Sequence, residues 1–72
     1  MDEVIAIKLV AKKDFTLYDM FDNEHDIKQG DELIASRANM KGLKLIFIKI
    51  DGQEMYYFES WVEKFFEIVE LS

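Results

Sequence analysis

Residues 43–60 constrain the fold more than any other stretch: Leu-Lys-Leu-Ile-Phe-Ile-Lys-Ile, then Asp51-Gly52, then Gln-Glu-Met-Tyr-Tyr-Phe-Glu-Ser. Two runs rich in Ile, Phe and Tyr flank an Asp-Gly pair. That pair suits a type I′ turn, which needs φ > 0 at both central residues, so the segment reads as a β-hairpin. A two-residue loop sets the register. Ile50 then faces Gln53, Lys49 faces Glu54 and, further down, Lys44 faces Glu59. Opposite charges across an antiparallel pair contribute about 0.2–1 kcal/mol each. The same register sorts Ile46, Ile48, Ile50, Met55 and Tyr57 onto one face, and Leu43, Leu45, Phe47, Tyr56 and Phe58 onto the other. A hairpin in a small domain normally buries one face and wets the other. Here both are apolar, so either the chain covers both or one face meets a partner or a second copy.

The 72 residues make one domain, 1–72. A domain of this size buries only a little over ~60% of its unfolded surface. Cysteine is absent, which removes disulfides and thiolate chemistry and suits a reducing compartment. The acidic start lacks the positive region of a signal peptide, and no apolar run approaches the ~20 residues that span a bilayer. The expectation is a soluble cytoplasmic protein with no membrane contact, in the host cytoplasm if phage-encoded. Net charge is −6, and it comes in blocks. Residues 14–32 carry seven acids against Lys28, and residues 51–72 carry six against Lys64. Residues 33–50 hold Arg37, Lys41, Lys44 and Lys49 with no acid. Nucleic-acid binders usually present a basic stripe, so direct nucleic-acid binding is disfavoured. An acidic protein is steered towards basic partners.

Along the chain, the β-branched run Val-Ile-Ala-Ile-Lys-Leu-Val-Ala predicts a strand over 3–11. Residues 12–30 are acidic but punctuated by Phe15, Leu17, Tyr18, Met20, Phe21 and Ile27. They read as a long ordered loop with its apolar residues tucked down and its acids outward. Gly30 suits a φ > 0 turn. A second strand is predicted over 31–38, and Asn39-Met-Lys-Gly42 is turn chemistry. At the end, Ser60-Trp-Val-Glu63 matches a capping box. The preferred reading is a short helical turn at 60–64 followed by a strand at 65–71 that covers an edge of the hairpin. A full helix over 61–70 on a β-meander, an α+β arrangement, is the alternative.

This order resembles a mostly β, SH3-like five-stranded small barrel, and short stretches resemble the family's motifs as well. Thr16-Leu-Tyr-Asp-Met20 is similar to the Ala-Leu-Tyr-Asp-Tyr opening of SH3 domains, and Lys28-Gln-Gly-Asp-Glu-Leu33 to their Lys-Lys-Gly-Asp-Glu-Leu. Tyr57-Phe-Glu-Ser-Trp-Val62 is similar to their Phe-Pro-Ser-Asn-Tyr-Val. Lys13–Thr16 resembles a Lys-Asp-Phe-Thr start common in bacterial and phage SH3-like proteins. The resemblance covers residues 4–71. SH3 domains bind proline-rich ligands between aromatic walls. Here Phe58 replaces the groove proline, the Trp expected after the third-strand turn is absent, and the loop before Gly30 is short. The resemblance therefore implies a location, with Tyr18, Phe58 and Trp61 near one another beside an acidic loop.

Chemistry-bearing residues are few. His25 is the single histidine, in an acidic loop with no Cys and no Ser motif to complete a nucleophilic triad. It reads as a solvated loop histidine, and no catalytic residue is assigned. Asp22, Glu24 and Asp26 alternate like the first ligands of a calcium loop, but Ile27 stands where such a loop needs Gly and Leu33 where it needs Glu. Neither a metal nor a cofactor is expected. Ten of the 72 residues are aromatic; most must be core, but a wall of Phe47, Tyr56, Phe58 and Trp61 would suit an interface anchor. The expected function is that of a small, acidic, non-enzymatic module for protein–protein interaction. Tyr18 and the loop acids Asp19, Asp22, Glu24, Asp26, Asp31 and Glu32 would face a basic surface, with Glu59, Glu63, Glu67 and Glu70 contributing from the C-terminal segment. A concrete form is a phage-type inhibitor that blocks a DNA-binding surface as a DNA mimic. The alternative is a structural protein that forms a homodimer through Leu45, Phe47, Tyr56 and Phe58.

Overall fold

The computed structural model of the protein describes residues 4–19 and 21–71. Seven strands and one short helix follow in order: β1 (Val4–Ala11), β2 (Phe15–Tyr18), β3 (Glu24–Ile27), β4 (Glu32–Met40), β5 (Leu43–Ile50), β6 (Gln53–Phe58), α1 (Glu59–Phe65) and β7 (Phe66–Glu70). Five strands form one antiparallel sheet in the order β6-β5-β4-β1-β7, and β2 and β3 form a separate two-stranded sheet. The chain is mostly β with one short helix. The expected closed barrel is corrected: β6 and β7 are the edges of the five-stranded sheet, and among the described residues no ladder joins them.

The central hairpin adopts the register its turn dictates, with Ile50 opposite Gln53, Lys49 opposite Glu54 and Leu45 opposite Phe58. Asp51 and Gly52 both have positive φ, 52° and 81°, as a type I′ turn requires. Lys41 and Gly42 make the same kind of turn between β4 and β5. Asn39 and Met40 therefore belong to the strand, two residues beyond the predicted end.

The segment between β1 and β4 is not the irregular loop expected. Phe15 and Leu17 alternate with polar residues on one arm and Ile27 ends the other, so the two arms pair and fold onto the sheet. Leu17 and Ile27 enter one core with Ile7, Leu9, Ala11, Ala35, Ile46, Ile48, Met55, Val62 and Phe66. Tyr18 and Phe21 are exposed instead of tucked down. Met20 and the predicted strand start at residue 3 lie outside the described residues.

The C-terminal segment is a helical turn followed by a strand, and the continuous helix over 61–70 is overturned. A seven-residue helix has little stability of its own. It is held by buried Val62 and by Trp61 and Phe65, which pack on the core. The capping box does not form: Phe58 is the N-cap, with no side-chain hydrogen bond, because Phe58 is still paired with Leu45. The helix stops because Phe66 turns extended to pair with Ala11. β7 borders β1 on the far side of the sheet, so it does not cover the hairpin edge. Glu59, expected opposite Lys44, is drawn into the helix and pairs with Arg37 instead.

Candidate functional site

The β2–β3 arm closes over the inner face of the sheet, and its tip meets β6 and the Asp51 turn. Asp19 follows Tyr18 at this tip and is buried. The reason is local. Its carboxylate accepts backbone N–H bonds from Phe21 (2.8 Å) and Asn23 (3.0 Å) and a bond from His25 Nε2 (3.0 Å). An Asx-type turn of this kind draws the side chain inward, and Asp22 takes a left-handed φ of 62° to complete it. Burial raises the Asp19 carboxyl, but the His25 hydrogen bond and the two backbone N–H bonds outweigh it and hold the pKa at about 2.

His25 is largely buried, not solvated. Its other nitrogen, Nδ1, lies 3.7 Å from Asp51 Oδ2, so the imidazole stands between a buried carboxylate and an exposed one from another hairpin. The Tyr57 hydroxyl donates to the Tyr18 carbonyl at 3.3 Å. Burial, and then the nearby Asp19 charge, push the Tyr57 phenol above its ordinary pKa. Sequence reasoning missed Asp19, His25 and Tyr57 as a connected group. The available signal was Asp19 and His25 flanking the turn-forming Asp22-Asn23 pair.

Two adjoining grooves open here. One, of about 330 Å³, is lined by Tyr18, Asp19, Met55, Tyr56 and Tyr57. The other, of about 240 Å³, is lined by Leu45, Tyr56, Tyr57, Phe58 and Trp61. Tyr56 and Tyr57 form the wall between them. Trp61 stacks on Tyr57 with ring centroids 4.6 Å apart, and Phe65 continues the stack at 4.8 Å. Phe58 and Trp61 thus line one groove and Tyr18 the other, and Tyr57, which donates to the Tyr18 carbonyl and stacks on Trp61, stands between them. Phe47 lines neither groove; it packs against Tyr56 on the outer face of the sheet, at 6.0 Å between rings. Leu45, Phe47, Tyr56 and Phe58 share that outer face, Leu45 opposite Phe58 and Phe47 opposite Tyr56.

The acids are spread over several places. Asp22, Glu24 and Asp51 gather at the grooved end: Asp22 N–H donates to the Asp19 carbonyl, Glu24 pairs with Tyr18, and Asp51 approaches His25. Asp26 sits midway and faces Thr16. Asp31 and Glu32 lie at the base of the arm, where Asp31 caps Lys28 N–H and Glu32 pairs with Lys8. Glu59 and Glu70 are both bound by Arg37. Asp22, Glu24, Asp26, Asp31 and Glu32 are exposed along the arm and its base, whereas Asp19 is buried and Glu59 and Glu70 are engaged by Arg37. Among the described residues no cluster of His, Asp and Glu could hold a metal ion, and no helix is long and apolar enough to cross a membrane. No family model, curated protein or solved structure matches the chain.

Proposed function

We propose that the chain is a small, non-enzymatic protein-binding module that takes a basic, partly apolar segment of a partner protein into the groove between the β2–β3 arm and β6. The observation that carries this reading is the juxtaposition of aromatic walls with carboxylates. Tyr18, Tyr56 and Tyr57 line the first groove together with the Asp19 carboxylate, and Asp22, Glu24 and Asp51 neighbour Asp19, Tyr18 and His25 at the arm tip. Tyr and Trp are the commonest interface anchors. A Lys or Arg seated there would meet both ring faces and carboxylates. A buried, ionised Asp19 adds a negative charge that solvent screens poorly.

The strand order supports an SH3-like architecture in its open form: a five-stranded sheet, an arm inserted after the first strand and a helical turn before the last. A charge-mimicking inhibitor of a DNA-binding surface is one form of this reading, and the division of the acids limits its footprint to the grooved end. His25 and Asp19 are two members of a familiar catalytic triad, yet among the described residues the polar contacts of His25 are the carboxylates of Asp19 and Asp51. That favours binding over catalysis. The test is affinity capture of a basic protein partner at low and high salt, with a variant carrying Asp22→Asn, Glu24→Gln and Asp51→Asn in parallel. A partner released by salt and lost by the variant supports the reading; retention by the variant overturns it.

A further inference from the structure

Strand alternation places a second surface on the side of the large sheet that faces away from the core. Its ladder rows run Met40–Leu43, then Val4–Ala38–Leu45–Phe58, then Ala6–Ser36–Phe47–Tyr56. These three rows contain no charge and one polar residue, Ser36. Neither α1 nor the β2–β3 arm covers them, since both pack on the opposite side. Tyr56 is 64% exposed, Phe58 58% and Ile34, in the next row, 63%, with Val4, Met40 and Leu43 also open. Taking ~150–250 Å² for each aromatic side chain, the face offers roughly 600 Å² of apolar surface.

We propose that this face is covered by a second copy of the chain in a two-fold dimer. Two such faces together would bury about 1,200 Å², where stable specific interfaces begin. The charge distribution selects the occupant. Around the apolar rows the outer face carries Lys8 and Lys49 against Glu32, Glu54 and Glu67, a net of −1, whereas the whole chain carries −6. Like-charge repulsion between copies is weakest here, and a basic partner is steered to the acids at the arm tip instead; the face shares Leu45, Tyr56 and Phe58 with the second groove, so a dimer would close that groove and leave the one beside Asp19 open. A two-fold contact needs a self-complementary patch, and an uncharged centre with mixed charges on one side meets that need.

The measurement is sedimentation velocity from about 1 μM to about 1 mM protein at low and high salt, the range in which interfaces of this area first register. The proposal expects a concentration-dependent dimer that holds or tightens as salt rises, because screening removes residual repulsion. Val4→Glu combined with Leu43→Glu should weaken it at least ~100-fold, since each places a charge inside the uncharged rows. Both residues are exposed in the single chain, so circular dichroism should report an unchanged fold. A monomer at about 1 mM under both salt conditions overturns the proposal; so does a dimer that salt dissolves or that the double substitution leaves intact. Neither residue lines the grooves by Tyr18 and Trp61, so failure here leaves the partner-binding reading standing.

Discussion

Replacing Arg37 with methionine keeps the aliphatic stem and removes one charge that ties three elements together. Its Nε donates to Glu59 Oε1 at 2.6 Å and its Nη1 to Glu70 Oε1 at 2.9 Å, joining β4 to the start of α1 and to β7. The two legs differ in worth. The Glu70 side chain is 58% exposed, and a pair in that setting contributes about 0.2–1 kcal/mol. The Glu59 side chain is 13% exposed, and a hydrogen bond to a charged group so placed contributes about 1.5–3 kcal/mol. Arg37→Met should therefore cost about 2–3 kcal/mol, which in a domain of this size lowers the melting temperature by roughly 10–20 °C. Adding Glu59→Gln removes the stranded carboxylate and should return about 1 kcal/mol. Lys44→Met, at the position the hairpin register would pair with Glu59, should change stability by less than about 0.5 kcal/mol. Urea unfolding followed by Trp61 fluorescence reads all four proteins. A loss below about 0.5 kcal/mol for Arg37→Met, or a larger loss for Lys44→Met, refutes the reasoning.

Asp19 makes stability depend on acid in a defined window. Its folded pKa of about 2 lies below the ordinary 3.8, so the unfolded chain binds the proton more readily, and the stabilisation is complete above the higher value and lost as pH falls through the lower. The stability gap between wild type and Asp19→Asn, measured by thermal melts, should shrink from about pH 4 to about pH 2; a constant gap would contradict the assignment. Phe66 is fully buried against Phe15, so Phe66→Ala should cost about 3–5 kcal/mol, whereas Phe21→Ala, at an exposed position, should cost less than about 0.5 kcal/mol in the same urea assay.

What the sequence made legible follows the range of the interactions. The Asp51-Gly52 turn is decided by its own two residues, and the register of β5 and β6 comes with it. The helical turn before β7 was readable because Trp61, Val62 and Phe65 sit at helical spacing while Ile68 and Glu70 alternate. The β2–β3 arm was not readable as strands. Four-residue strands offer only Phe15, Leu17 and Ile27 as pattern, and pairing against the core decides the rest. The Arg37–Glu59 pair joins residues 22 apart, and no local rule prefers Arg37 over Lys44. The resemblance puts Tyr18, Phe58 and Trp61 together; in the structure Phe58 and Trp61 share a groove while Tyr18 lines the adjoining one. The acids of residues 19–32 read as one group because they are close in sequence; an arm that doubles back sends Asp22 and Glu24 to one end and Asp31 and Glu32 to the other.

The claim that the aromatic grooves and the acids of the arm tip form one recognition site is tested most directly by backbone amide chemical shifts. The ¹⁵N-labelled protein would be titrated with a short peptide containing arginine, lysine and leucine. The account predicts salt-sensitive shifts confined to residues 18–25 and 51–61, with quenching of Trp61 fluorescence. Shifts centred on Asp31 and Glu32, or shifts spread evenly over every acidic residue with Trp61 unmoved, would contradict it.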